Sequence, residues 1–128
     1  RATISSGPHP SQTFVLKALQ DPRFGEQCAE KFGIMKARAN KVKNLLDSGK
    51  FGDAWDYYPF NSGYFMCLKI KGATAEAVRQ RLLNEYQIGT IALGETDLRV
   101  AFSCLEIEQI DEVYASIYKA VKEVQAGA

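Results

Sequence analysis

The sequence predicts an α+β fold, an α/β sandwich. It is a three-stranded, mainly antiparallel sheet of split βαβ type with its helices on one face, preceded by a long linking helix. Three observations carry this. Beyond residue 62 the hydrophobic period changes in the order strand, helix, strand, strand, helix. Two stretches, Gly63–Lys71 and Asp97–Ser103, alternate in the period of a pleated strand. Before them, residues 22–48 carry one apolar stripe at helical spacing.

A chain of 128 residues has room for one domain with a real core. Its net charge of +1 leaves no basic stripe for a nucleic acid, and no partner of that kind is expected. The apolar runs fall far short of the roughly 20 residues that span a bilayer, so no membrane is expected either. Cys28, Cys67 and Cys104 are odd in number and form no Cys-x-x-Cys pair. They read as reduced, mostly buried thiols of a cytoplasmic protein. The only histidine, His9, lies between two prolines and far from any cysteine, which argues against a Cys-His pair. No metal site is expected. The chain begins at Arg1, as a processed protein or a portion of a longer one would.

Residues 1–10 read as irregular, because Gly7-Pro8 and His9-Pro10 break a helix. Ser11 then caps a short helix carrying Phe14, Val15, Ala18 and Leu19. Asp21-Pro22 ends it and starts the next. In that second helix Cys28, Phe32, Met35, Ala39, Val42 and Leu46 form one stripe about 40 Å long at ~1.5 Å per residue. Such a helix exceeds what a domain of this size needs as a cover. It reads as a connection between two bodies, with only part of its stripe packed on this one. Gly49 is placed to end it. The expected division is 1–21 for an irregular segment and short helix at a junction, 22–49 for the linking helix, and 50–128 for a small domain. Residues 50–62 are rich in aromatics and read as a connection closing one end of the core.

In Gly63–Lys71 one face carries Tyr64, Met66, Leu68 and Ile70, and the other Phe65 and Cys67 before Lys69 and Lys71. Thr74 caps a helix reaching Tyr86. A short strand within Gln87–Gly94 turns at Gly94 into Asp97–Ser103, where Leu98, Val100 and Phe102 alternate with Asp97, Arg99 and Ala101. Ser103-x-x-Glu106 has the form of a capping box. Ile107, Ile110, Val113, Tyr114, Ile117, Val121 and Val124 trace one face of a final helix. With the last strand between the other two, both helices cover Tyr64, Met66, Leu68, Leu98, Val100 and Phe102. Arg99 then projects beside Phe65 and Cys67 from a helix-free, partly apolar face. There it meets a partner, a second domain or a ligand, or pairs with Asp97 or Glu95.

Asn61-Ser62-Gly63-Tyr64-Phe65, the capped helix running into Tyr86-Gln-Ile-Gly89, and Asp97-Leu-Arg-Val-Ala-Phe-Ser103 resemble the C-terminal small domain of fold-type I, class I/II, pyridoxal-phosphate-dependent aminotransferases. The resemblance covers essentially the whole chain, more weakly over residues 1–20. It implies that Arg99 holds the substrate α-carboxylate, since a guanidinium offers a carboxylate two parallel donors. Gly63 and Tyr64 match the family's glycine-aromatic pair and become candidate substrate-binding residues. The family's cofactor lysine lies in the large domain, in a Ser-x-x-Lys context followed by a glycine-arginine segment, and no such combination occurs here. The residues holding the cofactor phosphate and pyridine nitrogen also belong to that domain. The resemblance therefore implies a catalytically incomplete portion with no catalytic and no cofactor-binding residue of its own. Pyridoxal 5'-phosphate would be bound in the full-length protein and not by this fragment. The expected partners are an amino acid, a 2-oxo acid, the large domain of the same chain and a second copy in a homodimer. A stand-alone amino-acid-binding or dimerisation module of βαββα type is the alternative.

Overall fold

The structure, a computed structural model, describes residues 9–61 and 63–127. The irregular reading of residues 1–8, Ser62 of the glycine-aromatic motif and the terminal Ala128 lie outside the described residues. The chain separates into two compact units, Arg1–Ile34 and Met35–Ala128.

In the first unit, helix α1 runs His9–Gln20. It takes in His9 and Pro10, which were expected to be irregular, and Ser11, expected as its cap, lies within it. Its Phe14, Val15, Leu16 and Leu19 are exposed. Asp21 then accepts from the Arg23 backbone N–H at 2.8 Å, which tightens the turn into the next helix. That helix, α2, runs Phe24–Asp47 and crosses from the first unit into the second. Cys28 and Phe32 of its stripe are exposed, Met35 and Ala39 are half-buried, and Val42 and Leu46 are buried. Gly49 closes α2 at φ 69°.

In the second unit the sheet has four strands in the order β1-β2-β4-β3, all neighbours antiparallel. They are β1 Trp55–Tyr57, β2 Met66–Ile70, β3 Ile91–Leu93 and β4 Asp97–Val100. The expected split βαβ is present: β4 slots between β2 and β3, and helix α3, Ala75–Tyr86, connects them. The fourth strand, β1, adds an edge that the aromatic run of residues 50–62 concealed. Its Trp55 opposes Ile70, and the Lys71 N–H donates to the Ala54 carbonyl at 2.9 Å. Thr74 caps α3, its hydroxyl accepting from the Ala77 N–H at 3.3 Å. The final helix α4 runs Ile110–Gln125.

The core lies on one face of the sheet. Met66, Leu68, Ile70, Leu98 and Val100 meet Val42 and Leu46 of α2, Val78 and Leu82 of α3, and Ile110, Tyr114, Ile117 and Val121 of α4. Each such aliphatic side chain contributes about 1.5–3 kcal/mol by leaving water. Phe51, Trp55 and Tyr118 close one end as a ring cluster, with centroids 5.0 to 6.2 Å apart.

Three expectations are corrected. Tyr64 is exposed rather than covered by the helices. Regular pairing starts at Met66, so the alternation that buries Met66, Leu68 and Ile70 does not extend back to Tyr64, which lies in the bend before the strand. The cysteines are not mostly buried: Cys28 and Cys104 are exposed and Cys67 is half-buried. The capping box stands three residues later than Ser103-x-x-Glu106. Glu106 is the cap, and its N–H donates to Gln109 Oε1 at 3.0 Å.

Candidate functional site

The site candidate is the sheet face opposite the core. Because Leu98 and Val100 are buried, Asp97 and Arg99 of β4 must point the other way. Register places Cys67 opposite Arg99 on one side and Ile91 on the other, and Lys69 opposite Asp97. Ile91 and Leu93 remain exposed there. Among the described residues no helix of the core covers this face, which is partly apolar and open.

Arg99 is half-buried, and its Cζ lies over the Phe65 ring, 4.7 Å from the centroid. That is well within the reach of a cation–π contact. Among the described residues its guanidinium makes no hydrogen bond and no ion pair, so neither Asp97 nor Glu95 is its partner. Asp97 instead accepts from the Tyr58 hydroxyl at 3.1 Å and from Thr96 Oγ1 at 3.3 Å. The bond to Asp97 pushes the Tyr58 phenol up, and burial adds to this, so Tyr58 stays a donor. Burial likewise pushes the Cys67 thiol up; the Asp97 carboxylate adds to the shift and the Arg99 cation partly offsets it. A thiol so placed is a poor nucleophile near neutrality. Tyr58, Phe60, Phe65, Cys67 and Asp97 line a shallow cleft of about 370 Å³ on this side.

Gly63 stands at φ 89°, a conformation that a side chain would strain. A Cβ there would meet nothing within 4 Å, so the positive φ alone accounts for glycine. The Tyr64 side chain is exposed, while its carbonyl accepts from the Ser103 N–H at 3.4 Å and ties this loop to the end of β4. The structure thus brings Arg99 together with Phe65 and Cys67, and holds Tyr64 through its backbone carbonyl. The placement of Arg99 beside Phe65 was expected, whereas the stacking of its guanidinium on the ring and the Tyr58–Asp97 bond were not. For Phe65 the signal was present, since it stands two residues before Cys67 on the same face.

A bare Ser-x-x-Lys spacing does occur at Ser116 and Lys119, inside α4 and followed by Ala120-Val121 rather than glycine and arginine. Lys119 is exposed, as are Lys17 and Lys36. Among the described residues no charged side chain is buried, no group of side chains could hold a metal ion, and no helix is long and apolar enough to cross a membrane.

The fold defines an antiparallel split βαβ sheet extended by one edge strand, helix-covered on one face and open on the other. Residues 1–117 match the family described as Aminotransferase class I and II, and the chain belongs to that family. No curated protein matches. Among solved structures, LysN, an α-aminoadipate aminotransferase from Thermus thermophilus complexed with N-(5'-phosphopyridoxyl)-L-leucine, superposes with a TM-score of 0.70 at 23% identity. The match covers 86% of this chain and 30% of that one. An aspartate transaminase from Corynebacterium glutamicum gives 0.63 at 22% identity, over 77% of this chain and 26% of that one. An aromatic aminotransferase from Pyrococcus horikoshii gives 0.67 at 18%, over 84% and 30%. These likenesses speak for the fold. This chain spans less than a third of the length of each of these proteins. The resemblance to the small domain of the family is therefore borne out at the level of family and fold.

Proposed function

We propose that this chain serves as the C-terminal small domain of a pyridoxal-phosphate-dependent aminotransferase and that Arg99 binds the substrate α-carboxylate. The observation that carries the reading is the state of Arg99. Its guanidinium is on an open sheet face, held over a ring, with no described residue occupying its N–H donors. A charged donor left unpaired at a half-buried position is poised for an anionic partner. The match over residues 1–117 favours this over a free-standing βαββα module.

Family membership implies pyridoxal phosphate in the full-length protein, where the cofactor supplies the electron sink for amino-group transfer. The described residues do not fit it. The open face offers Arg99 and the exposed Lys69 as cations, with no enclosed amine and no phosphate cradle. Cofactor binding and catalysis are therefore assigned to residues outside this chain's described part, and this chain's share is substrate orientation. Holding the carboxylate fixes where the α-carbon lies, which contributes to rate through position alone. The partners on this reading are an amino acid, a 2-oxo acid, the large domain and a second subunit. The free cysteines fit a cytoplasmic setting.

In the intact protein, Arg99→Ala removes a charge-assisted contact of about 2–4 kcal/mol. The expected result is a KM for the amino acid raised roughly 30- to 700-fold, with cofactor absorbance retained. Unchanged steady-state kinetics would return Arg99 to a surface role.

A further inference from the structure

We propose that Phe65 is a positioning residue for Arg99, its ring holding the guanidinium in one orientation ready to receive a carboxylate. This deepens, and rests on, the reading of Arg99 as the carboxylate-binding group. An arginine side chain is long and loses much rotamer freedom when it is fixed. Fixing it before the ligand arrives spares the ligand that cost. A carboxylate or backbone carbonyl on the protein would also fix it, but by occupying the donors that the substrate needs. An aromatic ring holds the cation through its π face and leaves the N–H groups uncommitted.

The Phe65–Arg99 pair has that arrangement. Cζ sits 4.7 Å from the ring centroid, and no described residue hydrogen-bonds or ion-pairs with the guanidinium. The ring is half exposed, at 48%, so core packing does not account for it. Its backbone is secured on both sides. Before it, Gly63 turns at φ 89° and the Tyr64 carbonyl accepts from the Ser103 N–H. After it, Met66 pairs with Val100 and Cys67 with Arg99. Phe65 therefore stands immediately before β2, the strand that lies against Arg99, and the ring reaches the guanidinium from a fixed origin.

The test is steady-state kinetics on the intact protein carrying this chain. Phe65→Leu keeps an apolar side chain at a half-exposed position. It is expected to raise KM for the amino acid roughly three- to tenfold with kcat little changed, while Phe65→Tyr, which retains the ring face, restores the wild-type value. In an Arg99→Ala background Phe65→Leu is expected to add nothing. An unchanged KM for Phe65→Leu while Arg99→Ala raises it, or an equal effect of Phe65→Leu in both backgrounds, overturns the role of Phe65 and leaves that of Arg99 standing. No effect of Arg99→Ala overturns the carboxylate reading itself, and the role of Phe65 with it.

Discussion

Arg38 of α2 and Ser103, just beyond β4, are joined by a 2.6 Å hydrogen bond from Arg38 Nη1 to the Ser103 carbonyl. Nη2 of the same guanidinium pairs with Glu106 at 2.6 Å. One side chain, only 13% exposed, thus fastens α2 to the turn that follows the Arg99 strand. The Ser103 N–H in turn donates to Tyr64, so the chain on both sides of the open face is tied through one residue.

Arg38→Ala removes both bonds and leaves a partly buried carbonyl without its charged donor. The expected loss is on the order of 1.5–3 kcal/mol, read as a lower urea midpoint at unchanged slope. Arg38→Lys recovers only part, since a single ammonium lacks the fork that reaches two acceptors at once. An unshifted midpoint for Arg38→Ala would mean that this anchor carries no stability.

Glu76, in the first turn of α3, accepts from Arg79 Nε at 2.7 Å and Nη2 at 2.6 Å, and from Gln80 Nε2 at 2.8 Å. The Arg79 bonds, with Gln80 second, hold its carboxyl down to about 2 from the ordinary 4.5. The folded value is the lower one, so the contribution is complete above the unfolded pKa and disappears as pH falls towards 2. A carbon-detected NMR titration should therefore find the Glu76 midpoint near 2, and Arg79→Ala should return it towards the ordinary range. An ordinary midpoint in the wild-type protein would show that the exposed pair does not persist in solution.

Local chemistry made the helices legible: Asp21-Pro22, Thr74 and Gly49 mark ends that the structure places within two residues. The end of α3 was harder, because Gln87 takes the left-handed cap at φ 56° where a glycine would have announced it. Strand β1 was hidden because three residues are too few for alternation to stand out among aromatics. Tyr64 misled because period two was extrapolated back beyond the start of β2 at Met66 into the bend that precedes it. The open face itself was readable from alternation in β2 and β4, which put Arg99 beside Phe65 and Cys67. Arg38 was not, since its partners lie more than sixty residues away and no local pattern encodes them.

Tyr114 supplies the last test. Its side chain is fully buried in the core, and its hydroxyl has no hydrogen-bond partner among the described residues. Burying an unpaired hydroxyl costs about 1–3 kcal/mol by the standard of protein mutants. Tyr114→Phe keeps the ring packing and removes that cost, so the variant should be as stable as the wild type or more stable. Burial also pushes the phenol above its ordinary value near 10. The unfolded chain then releases this proton more readily than the folded one. Stability is unaffected below about pH 10 and falls as pH rises beyond it. Tyr58, Tyr86 and Tyr118 are raised too, chiefly by the bonds they donate to carboxylates, and they add slope of the same sign. Tyr114→Phe should therefore flatten the alkaline decline without abolishing it, as measured by urea midpoints between about pH 8 and 11. A variant less stable at neutral pH would mean that the hydroxyl finds a partner, such as a buried water, and that the core is wetter than its apolar lining implies.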